Sequence, residues 1–233
     1  MATIKLQVPQ DLDCISIDQY QRFDKILKAN EGAEDTEFVN LKMLSIFCDC
    51  TMADLRKGSV DQYTKAVDIL TETFKQTPDH RRIITVNGDK YGFIPNLDDI
   101  TLGEYVDLDK YIREPADYHR AMAIMYRPIT EEIRDTYNIE EYEGSEKYAD
   151  VMKDASMADV LGSMVFFYHL ANELLRATKD SLALELMTAT PQADAPDSVA
   201  NGDGINQSIT SQAMMSLESV ISLNYPYLRA LLN

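Results

Sequence analysis

The chain of 233 residues carries 39 Asp and Glu against 22 Lys and Arg, a formal charge of −17 at neutral pH. Such an excess repels nucleic-acid phosphates, whose capture draws on Lys and Arg clusters, and it argues against a direct grip on DNA or RNA. A hydrophobic content of 45% is enough to build a sizeable core, in one large domain or two small ones.

The opening stretch has no apolar run after Lys5, and no window reaches the ~18 consecutive apolar residues of a membrane helix. The expectation is a soluble protein made in a cytoplasm, without membrane contact. The three cysteines, Cys14, Cys48 and Cys50, cannot all pair, which points to reduced thiols. Cys48-Asp49-Cys50 lacks the second pair that a zinc site needs and follows the apolar run LKMLSIF, so both thiols read as small packed hydrophobes.

In chain order, Thr3 to Val8 alternates polar and apolar residues and predicts a strand, ended by Pro9. Ser16 lies three residues ahead of Gln19, the spacing of a capping box, and opens a helix over Ile17 to Ala29. A second helix over Thr36 to Cys48 follows the polar loop Asn30 to Asp35. Ser59 and Gln62 form another capping box, opening a helix to about Lys75. Asn87-Gly88 between Ile83 to Asn87 and Lys90 to Ile94 predicts a β-hairpin, because both central positions of a type I′ turn need positive φ. Thr101 and Glu104 repeat the capping box ahead of helices over Leu102 to Arg113 and Ala116 to Arg127, which part at Glu114-Pro115. Ile129 to Asp150 predicts a short strand or helix with loops. A long helix runs from Ser156 to about Thr188, with a buried stretch at Met164 to Phe167.

Pro9 to Tyr20 and Pro95 to Tyr105 echo each other in the order Pro, Leu-Asp-x-Ile, Ser/Thr, Gln/Glu, Tyr. The echo reads either as a duplicated strand–helix–helix unit, over 1–76 and 82–150, or as two capped helix starts that coincide. The predicted fold class is therefore α+β, mainly α, with a small antiparallel sheet and its β-hairpin packed on a helical bundle within 1–188. Residues 189–212 are polar, lack Lys and Arg through Gln212, and read as a linker. The segment 213–233 is the candidate partner interface, through Met214, Met215, Leu217, Ile221, Tyr225, Tyr227, Leu228, Leu231 and Leu232. It docks either on its own core or on another subunit.

Chemical motifs are scarce. The phosphate-loop, GxGxxG, GxSxG and HExxH patterns are absent, and none of the three histidines, His80, His119 and His169, has a second His or Cys one helical turn away. His169 reads as a core or interface residue, and His119 as facing a groove between helices. Asp98-Asp99, Glu131-Glu132 and Glu140-Glu141 read as solvated faces, and Asp194 to Asp203 lacks the calcium-loop pattern. No catalytic, cofactor or metal site is assigned.

The string Phe93 to Asp109, followed by His119 to Ile129 with its Tyr-Arg-Pro-Ile element, resembles a little-characterised family of small proteins of tailed bacteriophages, including crAss-like phages and relatives infecting Bacteroidetes. The resemblance takes in Ile15 to Tyr20, Tyr137 to Tyr142 and Met164 to Phe167 and spans Met1 to Met187. It implies a phage setting and no reaction. In that setting the expected role is a non-enzymatic virion protein, a ring, connector or tail component near the portal vertex, forming a homo-oligomer and touching other phage structural proteins. The host cytoplasm during assembly and then the virion would be its location. The alternatives are an assembly chaperone left out of the virion, for which eleven methionines would give adaptable contacts, and a packaged cargo protein.

Overall fold

The computed structural model describes residues 6–31, 36–96, 100–134 and 136–166. The predicted linker and C-terminal docking segment, with all nine residues from Met214 to Leu232 named above, lie outside the described residues, as does the part of the predicted long helix after residue 166. The fold is mainly helical with a small four-stranded antiparallel sheet, the predicted class.

Hydroxyl caps at Ser16, Ser59 and Thr101 start helices where the sequence places them, and Thr51 starts a further short one that it does not. Helix α1 (Ile17–Ala29) opens with the Gln19 amide donating to Ser16 Oγ at 3.2 Å and the Ser16 amide donating to Gln19 Oε1 at 3.0 Å. Helix α2 (Thr36–Phe47) ends at Asp49, whose φ of 48° turns the chain so that the Cys50 amide bonds the Ser45 carbonyl. The short α3 (Met52–Leu55) is capped by Thr51, and α4 (Val60–Thr73) by Ser59 with Gln62.

Strands β1 (Ile83–Val86) and β2 (Asp89–Phe93) form the predicted hairpin. Asn87 and Gly88 hold φ of 53° and 93° between the paired residues Val86 and Asp89, as a type I′ turn demands. Helix α5 (Leu102–Tyr111) carries the Thr101/Glu104 box. Pro115 opens a single 3-10 turn that leads into α6 (Tyr118–Met125).

The prediction fails at the end of that helix. Tyr126 and Arg127 are not helical: they begin β3 (Tyr126–Ile133), which turns back into β4 (Thr136–Ile139) before α7 (Glu146–Met152). The physical reason is pairing with β2, in the register Phe93 to Tyr126, Gly92 to Arg127 and Tyr91 to Pro128, which outweighs the helical periodicity of the segment. Leu6 to Val8, the described part of the predicted first strand, joins no ladder. The two echoed units both open on a capping box and both continue into a second helix, but α2 ends in a cap whereas α6 runs directly into a strand.

Helix α6 is the centre of the core: Ala121, Met122, Ala123, Ile124 and Met125 are all buried, with Phe23, Leu44, Leu70 and Met152 from four other helices in the same cluster. The last described helix, α8 (residues 157–166), is tied to the first. Ser16 and Ser156, each the cap of its own helix, pair as an antiparallel bridge, with the Ile17 amide bonded to Ala155 O at 3.0 Å and the Met157 amide to Ile15 O at 2.8 Å. Met164 on α8 is buried, whereas Val165 and Phe166 are half-buried.

A register shift between Ile129 and Glu131 bends β3 so that β4 folds over the face of β2. The Tyr137 ring then lies where a side chain at position 92 would sit: a Cβ on Gly92 would meet the ring at 2.4 Å and the Ile139 methyl at 2.9 Å. Its hydroxyl donates toward the Arg82 and Phe93 carbonyls, both at 2.9 Å. Gly92→Ala is therefore expected to destabilise the chain by about 1–3 kcal/mol through overpacking, read as a lower urea midpoint. An unchanged midpoint would show that β4 does not close over β2.

Candidate interaction surface

Several described residues able to carry chemistry are engaged in holding the fold. Glu104 and Arg127, 3% and 7% exposed, form a buried ion pair between α5 and β3. Burial pushes the Glu104 carboxyl up, but the Thr101 amide and hydroxyl and the Arg127 guanidinium together hold it below its ordinary value. Arg127 also lies over the Tyr142 ring at 5.7 Å, and the Tyr142 hydroxyl donates to Asp107 at 2.6 Å, so the pair clamps α5 to the sheet. A second ionic knot joins three distant segments: Arg81 reaches Asp13 with two bonds, at 2.5 and 2.8 Å, and Asp159 at 3.2 Å.

His80 and His119 are similarly committed, whereas His169 lies outside the described residues. His80 packs between Phe93 and Phe166, with both ring centroids at 4.4 Å, and burial aided by Arg82 lowers its pKa. His119 sits between helices as predicted: its Nδ1 faces Gln21 Nε2 at 2.9 Å, and that nitrogen also donates to the Pro115 and Ala116 carbonyls. Burial first, then the Lys153 and Arg120 charges, lower its pKa, against the opposing pull of Asp117 and Asp150. A neutral Nδ1 accepts from Gln21, whereas a protonated one would meet another donor.

Cys48 is buried and its thiol pushed up to about 12, chiefly by burial; Cys50 is half-buried and also raised. Neither has the depressed value of a reactive thiolate. Among the described residues, no three His, Cys, Asp or Glu side chains converge as metal ligands, and no helix is long and apolar enough to cross a membrane.

Two surface features remain. On α5, Leu102 and Val106, 73% and 53% exposed, stand one turn apart, opposite the buried face of Glu104, Leu108 and Tyr111. Between β2 and β3 lies a groove of about 490 Å3, lined by Asp89 to Tyr91, Pro128 to Glu132 and Tyr148. It opens because the β2–β3 ladder stops at Tyr91 and Pro128; proline has no amide hydrogen to give, and the bend at Thr130 carries β3 toward β4.

Neither feature is marked by a motif in the sequence. The spacing of Leu102 and Val106, off the Glu104, Leu108 and Tyr111 face, is the signal that distinguishes them. Pro128 inside a β-rich run would have marked the end of a ladder. No protein-family model, curated protein or solved structure matches the chain.

Two outcomes follow from these contacts. Arg127→Met, which strands the buried Glu104 carboxylate, is expected to cost about 3–5 kcal/mol in chemical denaturation, and adding Glu104→Gln should recover part of that loss. If the double variant is as unstable as the sum of the singles, the two residues do not act as a pair.

His80 and His119 have folded-state pKa values below their ordinary 6.5. The unfolded chain therefore takes up their protons first, so the stability they contribute is complete above about pH 6.5 and is lost as pH falls toward the folded values. The raised carboxyls of Asp24 and Asp159 act in the opposite sense, favouring the fold as pH falls. His119→Asn, which keeps an acceptor for Gln21, should isolate the histidine effect and show a smaller fall in Tm than the parent between about pH 7 and pH 5.5. Equal falls would mean that His119 charges freely in the folded state.

Proposed function

We propose that the chain is a non-enzymatic structural component of a tailed-bacteriophage particle, a ring, connector or tail subunit near the portal vertex that works through contacts between subunits. The observation that carries this reading is the Leu102/Val106 stripe. Two aliphatic side chains are held in solvent on a helix whose other face is locked by the Glu104–Arg127 pair, the Thr101 cap and the burial of Leu108 and Tyr111. A fixed apolar stripe loses little conformational freedom on docking, which favours a defined contact. The commitment of His80, His119, Cys48, Glu104 and Arg127 to packing supports action by contact in place of catalysis. The resemblance of Phe93 to Asp109 and His119 to Ile129 to phage proteins supplies the setting, with assembly in the host cytoplasm and residence in the virion. A net charge of −17 suits a subunit that meets protein and does not adhere to the genome.

The decisive measurements are the protein content of purified particles and the solution mass of the isolated chain. The expected results are stoichiometric protein in particles by mass spectrometry and a concentration-dependent oligomer by sedimentation. Leu102→Lys with Val106→Lys should abolish that oligomer without lowering the thermal midpoint. Absence from particles would overturn the virion role in favour of an assembly chaperone, and an oligomer indifferent to the double variant would remove α5 from the contact.

A further inference from the structure

We infer that the groove between β2 and β3 is a docking site for an extended, basic peptide segment of a partner protein. Its shape and its charge both support this. The two strands stop pairing at Tyr91 and Pro128 and part, so the open space is a slot between strands, matched to a chain in extended conformation. Asp89 stands on one wall, Glu131 and Glu132 on the other, and the half-buried Tyr148 ring closes one side. Lys90 is the one cation in this lining, and it is already held by Glu132 at 3.1 Å. No three acidic side chains among the described residues converge as metal ligands, and the three carboxylates of the lining are distributed over two strands. Tyr148 is an aromatic boundary of the slot and is itself engaged within the chain, with Tyr91 at 6.0 Å and Lys147 at 5.4 Å from its centroid.

Lys90 thus occupies, within the chain, the place a partner's cation would take on Glu132. Removing it should strengthen binding, which is the opposite of what loss of an ordinary contact residue does. The groove lies on the sheet and its occupancy does not depend on α5 or on the phage setting.

The test is the affinity of a fluorescein-labelled hexalysine peptide, measured by anisotropy at low salt, with hexaglutamate as the control. Lys90→Gln is expected to tighten hexalysine binding by about 2–5-fold, the effect of freeing one exposed carboxylate. Lys65→Gln, which frees Asp61 from an exposed pair at 2.8 Å on α4 and changes the net charge equally, should leave it unchanged. Glu131→Gln with Glu132→Gln should weaken it by about 5–10-fold, since each charge pair is worth a fraction of a kcal/mol to about 1 kcal/mol. Equal tightening by Lys90→Gln and Lys65→Gln would overturn the proposal, because binding would then follow the overall charge. It would equally be overturned by no binding to either the parent or Lys90→Gln, or by self-association of Lys90→Gln that exceeds the parent's and survives Leu102→Lys with Val106→Lys, which would make the occupant a second copy of the chain.

Discussion

Met125, Tyr126 and Arg127 carry the central helix α6 into strand β3, and each of the three holds a different part of the molecule. The Met125 carbonyl accepts the Ile94 amide at 3.0 Å, which fixes the end of the hairpin. The Tyr126 hydroxyl, fully buried, reaches the Arg81 carbonyl at 2.6 Å and Ser163 of α8 at 2.8 Å. Arg127 takes the Glu104 carboxylate and so sets α5. A helix that becomes a strand at a buried position must satisfy its freed backbone groups at once, and here the neighbouring strand does so. Sheet, hairpin, α5 and α8 are therefore all placed by one junction.

That junction is also where the sequence is least legible. The helix starts with a capping box, at Ser16, Ser59 and Thr101, are readable because donor and acceptor lie three residues apart, whereas the short α3 behind Thr51 has no Gln or Glu at that spacing to mark it. The hairpin is readable for the same reason, since Asn87 and Gly88 satisfy a local demand on φ. Tyr126 and Arg127 continue the helical spacing of Met122 and Met125, and only the distant partners Phe93 and Gly92 draw them into a strand. The exposed second half of β3, Glu131 to Ile133, shows no alternation of burial to betray it. Local interactions write themselves into the sequence; the Ser16–Ser156 bridge, the Gln21–His119 contact and the closure of Tyr137 over Gly92 join residues far apart and leave no such trace. The candidate surfaces are only partly legible: spacing sets Leu102 and Val106 apart from Glu104, Leu108 and Tyr111, but which of the two faces is buried is decided by the distant Arg127.

The charge of the chain divides along the same line. Many of its ion pairs, such as Arg22 with Asp18, Lys65 with Asp61 and Lys153 with Asp150, are local and exposed, and pairs of this kind contribute little to stability. The Glu104–Arg127 pair and the Arg81 knot instead join segments distant in sequence, and their desolvation is tolerable only because hydrogen bonds from Thr101 and Ser156 accompany them. Their contribution is to position: they specify which helix stands against which strand.

Position is what gives the two free surfaces their meaning. A Leu and a Val exposed on a loosely held helix would turn inward or lose definition, whereas α5 is held from behind and has its stripe directed outward by the same Glu104 that caps it. The groove is held open in a comparable way, by a proline that ends one ladder and a bend that begins another, so its walls are backbone-supported strands. One surface is apolar and convex, the other acidic and concave, so the contacts proposed for them differ: an aliphatic patch for the helix, a cationic extended segment for the slot. On the reading proposed above, a core presenting both would join two unlike neighbours, as a connecting subunit does.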